Sequence, residues 1–213
     1  MASGHRSPGI DPKKPGGEQQ RAKILDAISK GRRKGKTRGY RYYDSDLSGT
    51  TRYFAGINPE HEIFKLEKSL HRKPKVLELG CGIGATLKGI ERTNAELFGT
   101  NLNFEKAHKS LKAKIFICHF GQLREKLRPI GPLDFIYANA SIPHSAHFLQ
   151  DIQTISGLLR SGGRFLFNYP LFSREEYESV EKALTKNGFE IIKVKYADIE
   201  TDVPPYVFYA QKK

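Results

Sequence analysis

Long apolar runs are missing from this sequence. No segment approaches the roughly 20 consecutive apolar residues that a membrane span requires, and the amino terminus has no apolar core of the kind a secretory signal uses. We therefore expect an intracellular, cytoplasmic protein with no membrane contact. Cysteine is scarce as well. Cys81 and Cys118 are the only two, a usage that fits a reducing compartment, and neither stands in a C-x-x-C or Cys/His spacing, so no metal site is expected. Acidic side chains are nearly absent from the first fifth of the chain. Residues 1–43 carry 12 Lys or Arg against Asp11, Glu18 and Asp26, so 9 of the 13 net positive charges lie there and the other 170 residues are close to balance.

What is present suits one globular domain with an appendage. A length of 213 residues and 38% hydrophobic content allow a sizeable core. Residues 1–17 combine Pro8, Pro12 and Pro15 with four glycines and read as a disordered tail. From Gln19 to Lys30 the spacing of Ala22, Leu25 and Ile28 predicts a short helix. A run from Gly31 to Tyr43 then interleaves basic residues with Tyr40, Tyr42 and Tyr43. Such a run can neutralise phosphates and stack on bases, and it can equally be a solvated linker. We place the arm at 1–43 and the folded domain at 44–213.

The domain is organised around Lys75-Val76-Leu77-Glu78-Leu79-Gly80-Cys81-Gly82-Ile83-Gly84. A short apolar run reads as a buried parallel strand, and Ala85 to Arg92 as the helix that follows it. Between them, Gly80, Gly82 and Gly84 allow a tight turn that backbone and ligand can approach closely, with the first N–H groups of the helix facing the same crevice. The spacing fits the dinucleotide fingerprint G-x-G-x-x-G badly: counted from Gly80, the third glycine falls on Ala85, leaving Gly84 and Glu78 without a role. Cys81 inside the turn reads as a small packing residue.

Around this turn, strands and helices alternate. Asp44 to Ile57 is polar and turn-rich; Asn58-Pro59 caps a helix to about Leu70 that covers the sheet with Ile63, Phe64, Leu66 and Leu70. Glu96–Thr100, Lys114–Cys118 and Leu133–Ala138 read as strands, and Phe104–Leu111 as a helix. A helix from Ala146 to Arg160 is stopped by Ser161-Gly162-Gly163, before a strand from Arg164 to Asn168. Ser173 opens a capping box for a helix ended by Gly188, with Tyr177, Val180 and Leu184 inward. Two last strands, Glu190–Lys195 and Val207–Ala210, are expected to be antiparallel. The pattern is that of a doubly wound sheet.

The turn E-x-G-x-G-x-G, the strand Leu133-Asp134-Phe135-Ile136-Tyr137 and the segment Leu158-Leu159-Arg160-Ser161-Gly162-Gly163-Arg164 together resemble the class I S-adenosylmethionine-dependent methyltransferases, over roughly residues 58–213. The resemblance implies a Rossmann-like, mostly parallel seven-stranded sheet with an antiparallel last strand, and S-adenosylmethionine as cofactor. It further implies a cofactor site made of Glu78, Gly80, Cys81, Gly82, Gly84, Asn101, Leu102, His119, Phe120 and Asn139. Two positions depart from the family's pattern. Asn101 stands where an acidic residue usually accepts both ribose hydroxyls, and His119 where one often reads the adenine amino group, with Phe120 beside it able to stack on the purine. A neutral amide forms weaker hydrogen bonds than a carboxylate.

The acceptor is less legible. His144 and His147 follow the fourth strand, close to where the methyl group would point, and either could take a proton from a hydroxyl, amine or acidic carbon, or merely cap a helix. Three readings follow: a methyltransferase acting on a small molecule, one acting on RNA or an RNA-associated protein through residues 30–43, or a non-catalytic binding protein on the same fold.

Overall fold

The computed structural model describes residues 46–142, 145, 147–171, 174–196 and 206–213, the side chains of Arg174 and Tyr196 excepted. The basic arm, the expected helix from Gln19 to Lys30, His144 and Ser173 lie outside these residues.

Seven strands form one sheet: β1 (Lys75–Glu78), β2 (Glu96–Asn101), β3 (Lys114–Ile117), β4 (Leu133–Ala138), β5 (Leu159–Tyr169), β6 (Phe189–Tyr196) and β7 (Tyr206–Lys212). Their order is β3-β2-β1-β4-β5-β7-β6. All neighbours pair parallel except those of β7, which runs antiparallel to both β5 and β6. Helices α1 (Leu47–Tyr53), α2 (Pro59–Leu70), α3 (Ala85–Ile90), α4 (Leu123–Leu127), α5 (Phe148–Leu158) and α6 (Arg174–Lys186) accompany it. Among the described residues no helix is long and apolar enough to cross a membrane.

Strand alternation divides the core between the two faces of the sheet. In β4, Phe135 and Tyr137 join Ile63, Leu66, Leu87 and Ile90 of α2 and α3. Ile136 and Ala138 instead join Ile152 and Ile155 of α5 and Val180 and Leu184 of α6. The one charged side chain inside β4, Asp134, is fully buried at the amino end of the sheet. It accepts a bidentate pair from Arg72 at 2.9 and 2.7 Å, the Lys75 N–H at 2.7 Å and the Arg160 guanidinium. Burial pushes its carboxyl up, and these donors outweigh that and hold it below the usual carboxylate range.

The sequence reading needs four corrections. The polar stretch around residues 44–57 contains helix α1, started by Asp46, whose side chain accepts the Gly49 N–H at 2.7 Å. This helix has little apolar periodicity because it packs through small groups: a Cβ on Gly89 of α3 would come within 2.8 Å of Leu47 Cβ. The expected helix over Phe104–Leu111 is only a 3₁₀ turn, Lys106–Ser110, because Leu102 and Phe104 face solvent and no apolar stripe holds a longer one. Ser161-Gly162-Gly163 lies inside β5, which begins at Leu159. The register against β4 slips between Leu133 and Phe135, and a Cβ on Gly163 would meet the Arg160 carbonyl at 2.9 Å. On α2, Phe64 is 36% exposed, so Ile63 and Leu66 are its core residues.

Candidate functional site

The turn after β1 holds Gly80, Gly82 and Gly84 at φ 68°, 53° and 82°, left-handed values that L side chains rarely adopt. A side chain would also be crowded at two of them, against a fixed Cβ at Gly80 and against the movable end of a leucine at Gly84. A Cβ on Gly80 would lie 2.4 Å from Ser141 Cβ, and one on Gly84 2.4 Å from Leu111 Cδ1. The neighbouring strand straps the turn down: the Gly80 N–H donates to Thr100 Oγ1 at 3.1 Å and the Cys81 N–H to the Thr100 carbonyl at 2.8 Å. Cys81 is buried, and its sulfur fills the space a side chain on Gly99 would need.

Two side chains then converge on the Gly82 carbonyl. Asn101 Nδ2 donates to it at 3.0 Å and His108 Nε2 lies 2.6 Å away. His108 Nδ1 accepts the Glu105 N–H at 3.0 Å, so the ring proton sits on Nε2 and the second contact is a donated bond as well. Asn101 Oδ1 accepts the Leu102 N–H at 3.0 Å. Both ends of the Asn101 amide are thus engaged with backbone, and the oxygen keeps one lone pair for a further donor. No described group accepts the Gly82 N–H, which leaves a backbone donor at the centre of the turn.

At the carboxyl ends of β1 and β4, Glu78 is 4% exposed and accepts the Tyr137 hydroxyl at 3.1 Å. Burial, followed by the Glu78 charge, pushes the Tyr137 hydroxyl well above its ordinary value, so it remains a donor. Asn139 joins a buried polar network. Its Nδ2 donates to Thr50 Oγ1 at 3.3 Å, Thr50 Oγ1 lies 2.7 Å from Thr86 Oγ1, and Asn168 Nδ2 donates to Asn139 Oδ1 at 2.8 Å. Asn168 Oδ1 also accepts the N–H of Ala140, a left-handed residue at φ 54°. The network ties α1, α3, β4 and β5 together around the turn.

Leu102 is 49% exposed beside Asn101, and His119 and Phe120 follow β3, His119 exposed and Phe120 partly buried against the core. His147 is exposed at the start of α5, where its N–H donates to Ser145 Oγ at 3.0 Å. The Ser145 hydroxyl donates in turn to Asp151. Asp151 is 7% exposed. Burial pushes its carboxyl up, and Ser145, His147 and His119 pull it partly back. Asp151, Ser145, His108 and Asn168 were all missed in the sequence. None of the four carries a spacing signal in the sequence. A cleft of about 480 Å³ opens here, lined by His147, Phe148, Tyr169, Glu175, Glu176 and Ser179 among others. Phe148 stacks on Tyr169 with centroids 4.5 Å apart.

A methyltransferase-domain family model matches residues 49–194. No curated protein matches the sequence. Among solved structures, the plantazolicin methyltransferase BpumL, in complex with a monoazolic desmethylPZN analog and S-adenosylhomocysteine, is 14% identical with a TM-score of 0.62, over 92% of this chain and 99% of that one. The Burkholderia thailandensis 1,6-didemethyltoxoflavin-N1-methyltransferase is also 14% identical, with a TM-score of 0.61 over 98% and 93%. The Aeropyrum pernix fibrillarin is 18% identical, with a TM-score of 0.53 over 65% and 66%. These likenesses are of fold. With the family model spanning the glycine turn, strands β1 to β5 and the helices between them, the chain belongs to the class I S-adenosylmethionine-dependent methyltransferases.

Proposed function

We propose that this methyltransferase acts on a small-molecule acceptor seated in the cleft between the starts of α5 and α6. The observation that carries the reading is the cleft itself: about 480 Å³, open beside His147 and floored by the stacked Phe148 and Tyr169, a size usual for small-ligand sites. The toxoflavin-precursor and plantazolicin enzymes were both solved with a small acceptor or its analog together with S-adenosylhomocysteine, which supports the same use of the fold here.

The turn at residues 80–84 fits the cofactor. It is pinned in left-handed conformations, leaves the Gly82 N–H for a ligand, and stands beside the buried Glu78 carboxylate. Glu78, Gly80, Cys81, Gly82 and Gly84 would hold the cofactor's amino-acid end, Asn101 and Leu102 its ribose, and His119 and Phe120 its purine, with Asn139 closing the floor. When bound, the cofactor supplies an electrophilic methyl on a sulfonium whose leaving group is a neutral thioether. The protein's part is therefore to align the acceptor and exclude water. His147, on the cleft wall, takes the proton that an attacking hydroxyl, amine or acidic carbon must shed, while Asp151 and Ser145 set the start of α5 on which it stands.

The test uses Ser179→Trp, which fills the cleft from an exposed face of α6. With a low-molecular-weight metabolite extract as acceptor source, this variant should release S-adenosylhomocysteine at a small fraction of the wild-type rate while binding S-adenosylhomocysteine normally in titration calorimetry. Equal turnover by both proteins, or turnover with an RNA fraction only, overturns the reading.

A further inference from the structure

Outside the amino-terminal arm the basic residues are not evenly spread. Residues 102–131 hold Lys106, Lys109, Lys112, Lys114, Arg124, Lys126 and Arg128 against Glu105 and Glu125, a net of +5, whereas the rest of 44–213 holds 17 basic and 18 acidic residues. These 30 residues are one place in the fold: the edge strand β3 with the 3₁₀ turn before it and α4 after it. All seven cations are exposed. Elsewhere the arginines near the sheet are held by Asp134, Glu60 and Glu62, but here Lys126 alone forms an ion pair, with Glu125 at 3.6 Å, among the described residues.

The track also has direction. At one end, Lys106 and Lys109 flank His108, which holds the Gly82 carbonyl, so they border the glycine turn. At the other, Arg124 and Arg128 line an open groove of about 730 Å³ with Leu127, Pro132, Gly157 and Leu158, at the amino end of β4. Between them Lys112 precedes β3 and Lys114 opens it. Exposed apolar side chains punctuate it: Leu102 at 49%, Phe104 at 55% and Ile117 at 42%. Lysine on an edge strand also guards against sheet-to-sheet aggregation. That role accounts for Lys112 and Lys114 and leaves the other five cations unexplained.

We propose that the β3 edge is a binding surface for single-stranded RNA, distinct from the acceptor cleft and independent of it. A row of exposed cations along one edge, all but Lys126 without an ion-pair partner among the described residues, suits a phosphate backbone, and Phe104 offers a ring on which a base can stack. A membrane surface would call for cations ringing a broad apolar face, and here the exposed apolar side chains are single and separated.

The experiment measures binding of the full-length protein to a fluorescently labelled, unstructured RNA by anisotropy over a salt series. The track variant K112E/K114E/R124E/R128E is compared with K182E/K186E/K193E/K213E, which carries the same charge change on α6, β6 and the carboxyl terminus. Circular dichroism and thermal midpoints verify that both are folded, and anionic phosphatidylserine vesicles serve as the second polyanion. We expect the track variant to bind RNA at least tenfold more weakly, with a shallower salt dependence, and the control to stay within about twofold of wild type. Equal loss in both variants would mean that only net charge matters, and unchanged binding in the track variant would move the site elsewhere; either overturns the proposal. So would absence of RNA binding by wild type at low salt, or vesicle binding that depends on the track while RNA binding does not.

Discussion

The His108 imidazole donates to the Gly82 carbonyl at 2.6 Å, across 26 residues of chain, while the Asn101 amide donates to the same oxygen at 3.0 Å. One carbonyl of the glycine turn is therefore held by two side chains, one from the last residue of β2 and one from the 3₁₀ turn after it. Turning that oxygen toward Asn101 and His108 commits the peptide plane, and with it the left-handed conformation at Gly82.

This latch reverses an expectation. Were Asn101 free to face a ribose, Asn101→Asp would tighten cofactor binding through a charged acceptor. In the structure its amide nitrogen is a donor, which a carboxylate cannot replace, and the substitution sets a negative charge against the Gly82 carbonyl. Losing one such bond costs about 1 kcal/mol, so Asn101→Asp should weaken S-adenosylhomocysteine binding by about fivefold, as read by titration calorimetry. His108→Gln, which keeps an N–H at the Nε2 position, should bind within about twofold of wild type, and His108→Leu should fall with Asn101→Asp. Tighter binding by Asn101→Asp would show that the ribose contact outweighs the latch.

Gly82→Val places a β-branched side chain at φ 53°, a region such residues rarely occupy. We expect loss of detectable cofactor binding with the domain still folded by circular dichroism. Gly80→Ala should do more damage to stability, because its Cβ would lie 2.4 Å from Ser141 Cβ and Ser141 is itself bound to the Leu79 carbonyl. A Gly80→Ala protein with unchanged melting temperature would contradict this packing.

At the opposite end of the strands, Asp134→Asn strips the charge that Arg72 and Arg160 share. Because the Asp134 carboxyl is held below its ordinary value, its contribution is present above the unfolded value near 4 and is lost as pH falls through the folded one. The variant should be about 3 kcal/mol less stable at neutral pH, by urea denaturation, and the gap should close in acid. A gap that persists unchanged at low pH would assign the loss to packing.

Asp151 has the opposite sign. Its carboxyl is raised, so the stability it contributes is present below the unfolded value and lost as pH rises through the folded one. Asp151→Asn keeps an oxygen for the Ser145 hydroxyl and removes the buried charge. Its melting temperature should exceed that of wild type by a few degrees at neutral pH and match it in acid. A lower melting temperature at neutral pH would mean that the ionised carboxylate is needed by His147 and His119.

By itself the sequence determined the sheet, because a strand's signal is local: an apolar run of fixed length between breakers, as in Leu133–Ala138, or a capped helix start, as at Asn58-Pro59. It also determined where the turn lies and that glycine must occupy it. What only the tertiary structure decided were features set by partners far apart in the chain. Helix α1 exists because Asp46 caps it and Gly89 leaves it room; Asn101 faces the Gly82 carbonyl because β2 ends beside the turn; Asn168 reaches Asn139 across 29 residues because β4 and β5 are neighbours. Polar side chains choose partners by hydrogen-bond geometry, which carries no periodicity along the chain, so a residue type at a family position could be read while the direction of its hydrogen bonds could not.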